Sequence, residues 1–144
     1  MRARLFLRSA AVLTLLLGIG HLMGRPWTPA NDPLASAVVV AMKSHTMHVM
    51  GFDRTFMDFY VSFGLILGVN LLAGGVILWM LGDLVITEPA RTRRIAVVFL
   101  IMNLIITAIS GLYLFAAPMV LSGAVTLCLA IAALSNPRDR KSLQ

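Results

Sequence analysis

Long apolar runs alternate along this chain with short polar connectors, and four of the runs have the length that a bilayer demands. A membrane-spanning helix needs about 20 predominantly apolar residues to cross the hydrocarbon. Residues 5–24, 59–81, 95–115 and 118–135 satisfy that requirement and read as four transmembrane helices. A fifth apolar stretch, residues 34–50, is interrupted by Lys43, Ser44, His45 and His48 and is too broken for a span. It reads instead as an interfacial or re-entrant helix on the outer face, ended at Gly51 by the usual C-terminal glycine. The segment before it, GRPWTPANDP, carries three prolines and predicts an extended turn with Trp27 at headgroup depth. The expected fold is therefore all-α: one integral membrane domain over residues 1–144, built as a four-transmembrane-helix bundle with an additional outer-face helix.

The spans are not uniformly apolar. Thr14, Gly18 and His21 share one face of the first by their spacing. In the second, Gly64 and Gly68 form a small-xxx-small pair with Gly75 on the same side, the pattern of close helix contact. Phe59, Tyr60 and Phe63 belt one end of that span and Trp79 the other. Asn103, Thr107, Ser110 and Gly111 line one face of the third span, and Ser122, Thr126 and Ala130 one face of the fourth. Residues 82–94 read as a charged connector, residues 116–118 as a tight one, and residues 136–144 as a frayed basic tail.

Composition agrees with a membrane setting. Residues are 59% hydrophobic and 12% charged, half the charged share of about 25% in a soluble domain. A net charge of +6 would raise nucleic acid as the partner of a soluble protein, but here the basic residues flank the spans and act as topology signals. Nine of them (Arg2, Arg4, Arg8, Arg91, Arg93, Arg94, Arg138, Arg140 and Lys141) fall on one side, and three (Arg25, Lys43 and Arg54) on the other. The positive-inside rule then makes both termini cytoplasmic in a multi-pass protein of the bacterial inner (plasma) membrane. The first run has the basic start of a signal peptide but no small-residue cleavage site, so it reads as retained, with Arg8 snorkelling to the headgroups. The expected partners are the lipid bilayer, a lipophilic small molecule, and a membrane protein or second copy of the chain; no nucleic acid is expected.

The residues able to carry chemistry gather at the outer end. They are His21, His45, His48 and Asp58 as acid–base candidates, with Asp53 nearby, and Tyr60 and Tyr113 at similar depth. A neutral histidine beside a carboxylate is a workable general acid/base near neutral pH. Tyr60, Asn70, Asn103 and Tyr113 are the candidates to contact a bound ligand. Each also has a structural use: His45 and His48 on headgroups or loop backbone, His21 on the loop, Asp58 at a helix N-terminus. The tyrosines would then be belt residues, and Asn70 and Asn103 would pair across two spans. His45-x-x-His48 with Asp53 or His21 resembles a partial zinc set, yet no second motif accompanies it, so no metal is assigned. Haem would need histidines mid-span on facing helices, and the single Cys128 builds neither a disulfide nor a redox pair, so no cofactor is assigned. Transport would need charged residues within the spans or oligomerisation.

Gly18-Ile19-Gly20-His21 closing the first span and Asp58-Phe59-Tyr60-Val61-Ser62-Phe63-Gly64 opening the second resemble a pattern in small, uncharacterised four-helix bacterial inner-membrane proteins, DoxX-like in plan. The resemblance implies a four-helix bundle with an outer loop between the first two spans, and no reaction. Two functional classes follow. One is a membrane protein that binds a lipophilic molecule in the bundle near its outer end, with isomerase or cyclase chemistry by His21, His45, His48 and Asp58. The other is a non-catalytic membrane subunit or assembly partner that packs through the glycine-rich second span. The first requires the histidines and Asp58 around one cavity, the second Gly64, Gly68 and Gly75 on a lipid-facing surface.

Overall fold

A computed structural model describes residues 1–25, 27–28 and 31–135. The basic tail, residues 136–144, lies outside the described residues. Four helices are long and apolar enough to cross a membrane: α1 (Arg2–Gly24), α3 (Phe56–Thr87), α4 (Pro89–Tyr113) and α5 (Ala116–Ser135). Between α1 and α3 stand a shorter helix, α2 (Pro33–Ser44), and two strands, β1 (Thr46–Val49) and β2 (Phe52–Thr55).

The start of α2 follows from its capping residues. Asp32 has extended backbone and its carboxylate accepts from the amides of Leu34 and Ala35 at 3.1 and 3.2 Å, while Pro33 occupies the first turn, where a missing N–H loses nothing. The expected helix over 34–50 is corrected in its second half. It ends at Ser44, and residues 46–55 form an antiparallel hairpin with Val49 opposite Phe52. Its two-residue turn, Met50-Gly51, has φ of 51° and 89°, the doubly positive backbone of a type I′ turn. β-branched Thr46, Val49 and Thr55 and aromatic Phe52 favour strands on either side. Gly51 therefore supplies the left-handed turn of a hairpin and is not a helix cap.

At 32 residues, α3 is about 48 Å long, against about 30 Å of hydrocarbon, so it extends well beyond its apolar span. The expected connector over 82–94 is correspondingly almost all helix. The break is confined to Glu88, because Pro89 drives the residue before it out of the helical region. At the other junction, Leu114 N–H closes α4 on the carbonyl of Ser110 at 3.0 Å, and Pro118 sits in the first turn of α5.

Contacts divide the chain into two compact units. The first holds residues 1–17 and 71–135 of the described chain. In it, Leu7, Ala10 and Ala11 of α1, Leu78 and Leu81 of α3, Ala96 of α4 and Val125, Leu129 and Ala132 of α5 form one buried apolar cluster. Polar groups within this unit bond to one another. Thr107 Oγ1 donates to the Asn103 carbonyl at 2.8 Å and lies 3.1 Å from Ser122 Oγ and 3.2 Å from Thr126 Oγ1, so the polar faces expected on the third and fourth spans meet. Arg93 Nε donates to the Ala133 carbonyl, satisfying an acceptor in the last turn of α5. The second unit, residues 18–70, contains the end of α1, α2, the hairpin and the start of α3.

In each unit the glycines of α3 admit side chains of α1. In the first, a methyl group built on Gly75 would lie 2.6 Å from Leu15 Cγ, and one on Gly82 would lie 3.0 Å from Arg8 Cγ. In the second, one on Gly68 would overlap Leu22 Cδ2, while one on Gly64 would lie 2.9 Å from the ring of Trp27, just beyond the end of α1. Gly68, Gly75 and Gly82 recur every seven residues, as do Leu22, Leu15 and Arg8. A seven-residue repeat keeps one seam of a helix facing its partner, and glycine lets the backbones approach.

Candidate functional site

All four acid–base candidates belong to the second unit, and each is engaged separately. His21 closes α1. Its Nε2 lies 2.9 Å from the carbonyl oxygen of Gly64, and its ring meets Trp27 edge-on at 6.2 Å between centroids. The side-chain-free backbone at Gly64 admits both rings. An N–H on Nε2 bonded to that carbonyl leaves Nδ1 as the remaining acceptor.

His45 and His48 do not share a helix face, which corrects the expectation from their spacing: His45 is the extended residue that ends α2, and His48 is in β1. His45 stacks on Phe56 at 5.6 Å between centroids. His48 Nδ1 lies 2.9 Å from Asp53 Oδ1, its cross-strand partner. Strand register makes this pair, and both side chains are more than 70% exposed, so their attraction is weakened by water and salt.

Asp58 is used by the start of α3. Its Oδ2 accepts from the amide of Thr55 at 2.7 Å and from the Thr55 hydroxyl at 2.9 Å, and Thr55 Oγ1 in turn faces the amide of Asp58 at 3.2 Å. This is a reciprocal capping box, with Asp in the place usually held by Glu. Among the described residues, none of His21, His45, His48 and Asp58 is hydrogen-bonded or ion-paired to another of the four. No three His, Cys, Asp or Glu side chains among the described residues are grouped as metal ligands would be.

Of the expected ligand-contacting residues, Tyr60 and Asn70 belong to the second unit and Asn103 and Tyr113 to the first. Tyr60 is about half exposed in the second turn of α3, and Tyr113, at the end of α4, is 80% exposed. The amides of Asn70 and Asn103 each donate to the carbonyl four residues earlier in their own helix, Asn70 to Ile66 at 2.8 Å and Asn103 to Phe99 at 2.9 Å. Back-bonding of this kind satisfies a polar side chain in an apolar medium without a partner helix.

A charged cluster that sequence reasoning did not join lies in the first unit. Nη2 of Arg4 and of Arg8 both donate to Oδ1 of Asp83, at 2.8 and 2.9 Å. The Arg8 guanidinium also lies 4.6 Å from the centre of the Trp79 ring, a cation–π contact. One signal for it was available: arginines one turn apart at the start of the first span, and an acid just past the end of the second, belong at the same membrane face. Beside the cluster, a shallow open groove of about 400 Å³ is lined by Leu5, Arg8, Ser9, Val12 and Leu13.

Comparison with protein-family models, with curated proteins and with solved structures finds no match to this chain. The functional reading therefore rests on the geometry above.

Proposed function

We propose that this chain is a non-catalytic subunit or assembly partner of the bacterial inner membrane. In this reading its four long helices form a bundle with both termini cytoplasmic, and α2 and the hairpin lie on the outer face. The observation that carries the reading is α2 itself. It is rich in Ala and Val, yet none of its residues is buried. The adjoining segment adds large exposed apolar side chains, Met50, Phe52 and Phe56, to the exposed Leu34, Val38 and Val40. An apolar helix with no core of its own gains stability by lying in the membrane interface or against another protein. Gly68 and Gly75 take up side chains of α1 and Gly64 the ring of Trp27, so the surface offered to a partner is α2 and the hairpin, and not the glycine face expected from sequence. Acid–base chemistry on a lipophilic substrate has no comparable support, since its four residues serve a carbonyl, a ring, a strand pair and a helix cap.

The test is site-specific photo-crosslinking in intact cells from Val40 and from Phe52, with Val69 on α3 as a lipid-facing control. A discrete protein adduct at Val40 and Phe52, absent at Val69, is the expected result. Adducts to lipid alone at all three positions would rule out the partner and leave α2 as an interfacial anchor.

A further inference from the structure

We infer that the end of the first unit bearing Arg4 and Arg8 is a binding site for an anionic phospholipid of the adjacent leaflet, with the headgroup phosphate on the two guanidinium groups and an acyl chain in the groove along α1. Three features of the site converge on this occupant. The first is charge. Two arginines share one carboxylate oxygen, so the cluster holds one uncompensated positive charge. Nη1 of each arginine donates to no described protein atom, while the side chains remain 40% and 34% exposed. Asp83 and the Trp79 ring fix where those free donors stand, which removes much of the ordering entropy that a lone surface arginine would lose on binding. The second is the shape and polarity of the groove. Leu5, Arg8, Ser9, Val12 and Leu13, all on α1, line it, and the surface they present to it is almost wholly apolar. An apolar groove beside two guanidinium groups suits an acyl chain next to an anionic headgroup.

The third is the wider field. Within the described chain, the ends of α1, α3 and α4 at this face carry Arg2, Arg4, Arg8, Arg91, Arg93 and Arg94 against Asp83 and Glu88. Basic residues clustered at a headgroup surface attract anionic lipids by charge. A zwitterionic headgroup would bring its own cation to a site that already has a positive surplus.

The full chain, purified in a mild detergent, would be incubated with equimolar phosphatidylglycerol and phosphatidylcholine of identical acyl chains. Retained lipid would then be read by native mass spectrometry. The expected result is about a tenfold preference for phosphatidylglycerol, the scale of interfacial arginines acting on an anionic lipid. The preference should fall to about unity in Arg4→Gln/Arg8→Gln, on the same principle. Ser9→Phe, which leaves every charge in place and fills the groove, should lose both lipids while keeping the wild-type melting temperature. Excess inorganic phosphate should leave the preference intact. A ratio near unity in the wild type overturns the proposal, as does an unchanged ratio in either variant. Loss of the preference in phosphate overturns it too, because the site would then hold an anion and not a lipid. Should the double arginine variant fail to fold, Ser9→Phe decides alone.

Discussion

Gly74 and Gly75 are neighbours in α3 and should respond to the same substitution with opposite sign. Replacing glycine by alanine in a helix interior gains about 0.8–1 kcal/mol of intrinsic propensity. At Gly74 nothing opposes that gain, since the nearest atom to an added methyl is Phe99 Cε1 at 4.0 Å, an ordinary contact. At Gly75 the methyl would meet Leu15 Cγ at 2.6 Å, Leu15 Cδ2 at 2.8 Å and the Ala11 carbonyl oxygen at 3.2 Å. Leu15 can change rotamer, but the Ala11 carbonyl belongs to the α1 backbone and yields only if the helices separate. Overpacking of this kind costs about 1–3 kcal/mol, more than the propensity gain. Gly74→Ala should therefore stabilise by up to about 1 kcal/mol and Gly75→Ala should destabilise by about 1–2 kcal/mol. The assay is unfolding by sodium dodecyl sulfate from a mild detergent, followed by far-ultraviolet circular dichroism. Coupling to Leu15→Ala locates the clash: the double variant should recover part of the loss, because the two sites touch. If Gly75→Ala proves as stable as Gly74→Ala, the assignment of the α1–α3 seam is wrong.

Three further outcomes test other parts of the structure. Met50 adopts a left-handed backbone that an L side chain with a Cβ tolerates poorly, so Met50→Asn should stabilise the hairpin by about 0.5–1 kcal/mol, read as slower amide exchange over residues 46–55. Asp58→Ala removes the capping box and should destabilise the first turn of α3 by about 1 kcal/mol, with faster exchange of the Thr55 amide. A catalytic Asp58 would predict no such change. Thr107→Val deletes the shared hydroxyl between α4 and α5 and should destabilise by about 0.6–1.7 kcal/mol in detergent unfolding, whereas the exposed Tyr113→Phe should be neutral.

Much of the fold is legible in residue order because a bilayer imposes its own length scale. Four runs of apolar residues predict four helices, and the helices extend past those runs where charged residues continue the backbone hydrogen bonding into the headgroups. The hairpin was harder to read. Its Met-Gly turn lacks the Asn or Asp that usually announces a type I′ turn, and the surrounding Ala and Val continue an apolar pattern that suits a helix equally well. The candidate site was legible only as a set of residue types near one end of the spans. Periodicity put His45 and His48 on one face, but the helix stops before the second, so the period that justified the pairing does not apply.

What the sequence determined by itself is four helices long and apolar enough to cross a membrane and the polar faces of the third and fourth of them. Each depends on hydrophobicity and spacing within a single segment, and burial cost enforces them locally. Tertiary structure decided which residues meet: Asp83 with Arg4 and Arg8, the α3 glycines with α1, His21 with Gly64, and Asp58 with its own cap. The physical reason is that polar groups and glycines are versatile in partner choice. A carboxylate can cap, pair or catalyse, and only the register between packed segments selects among those uses.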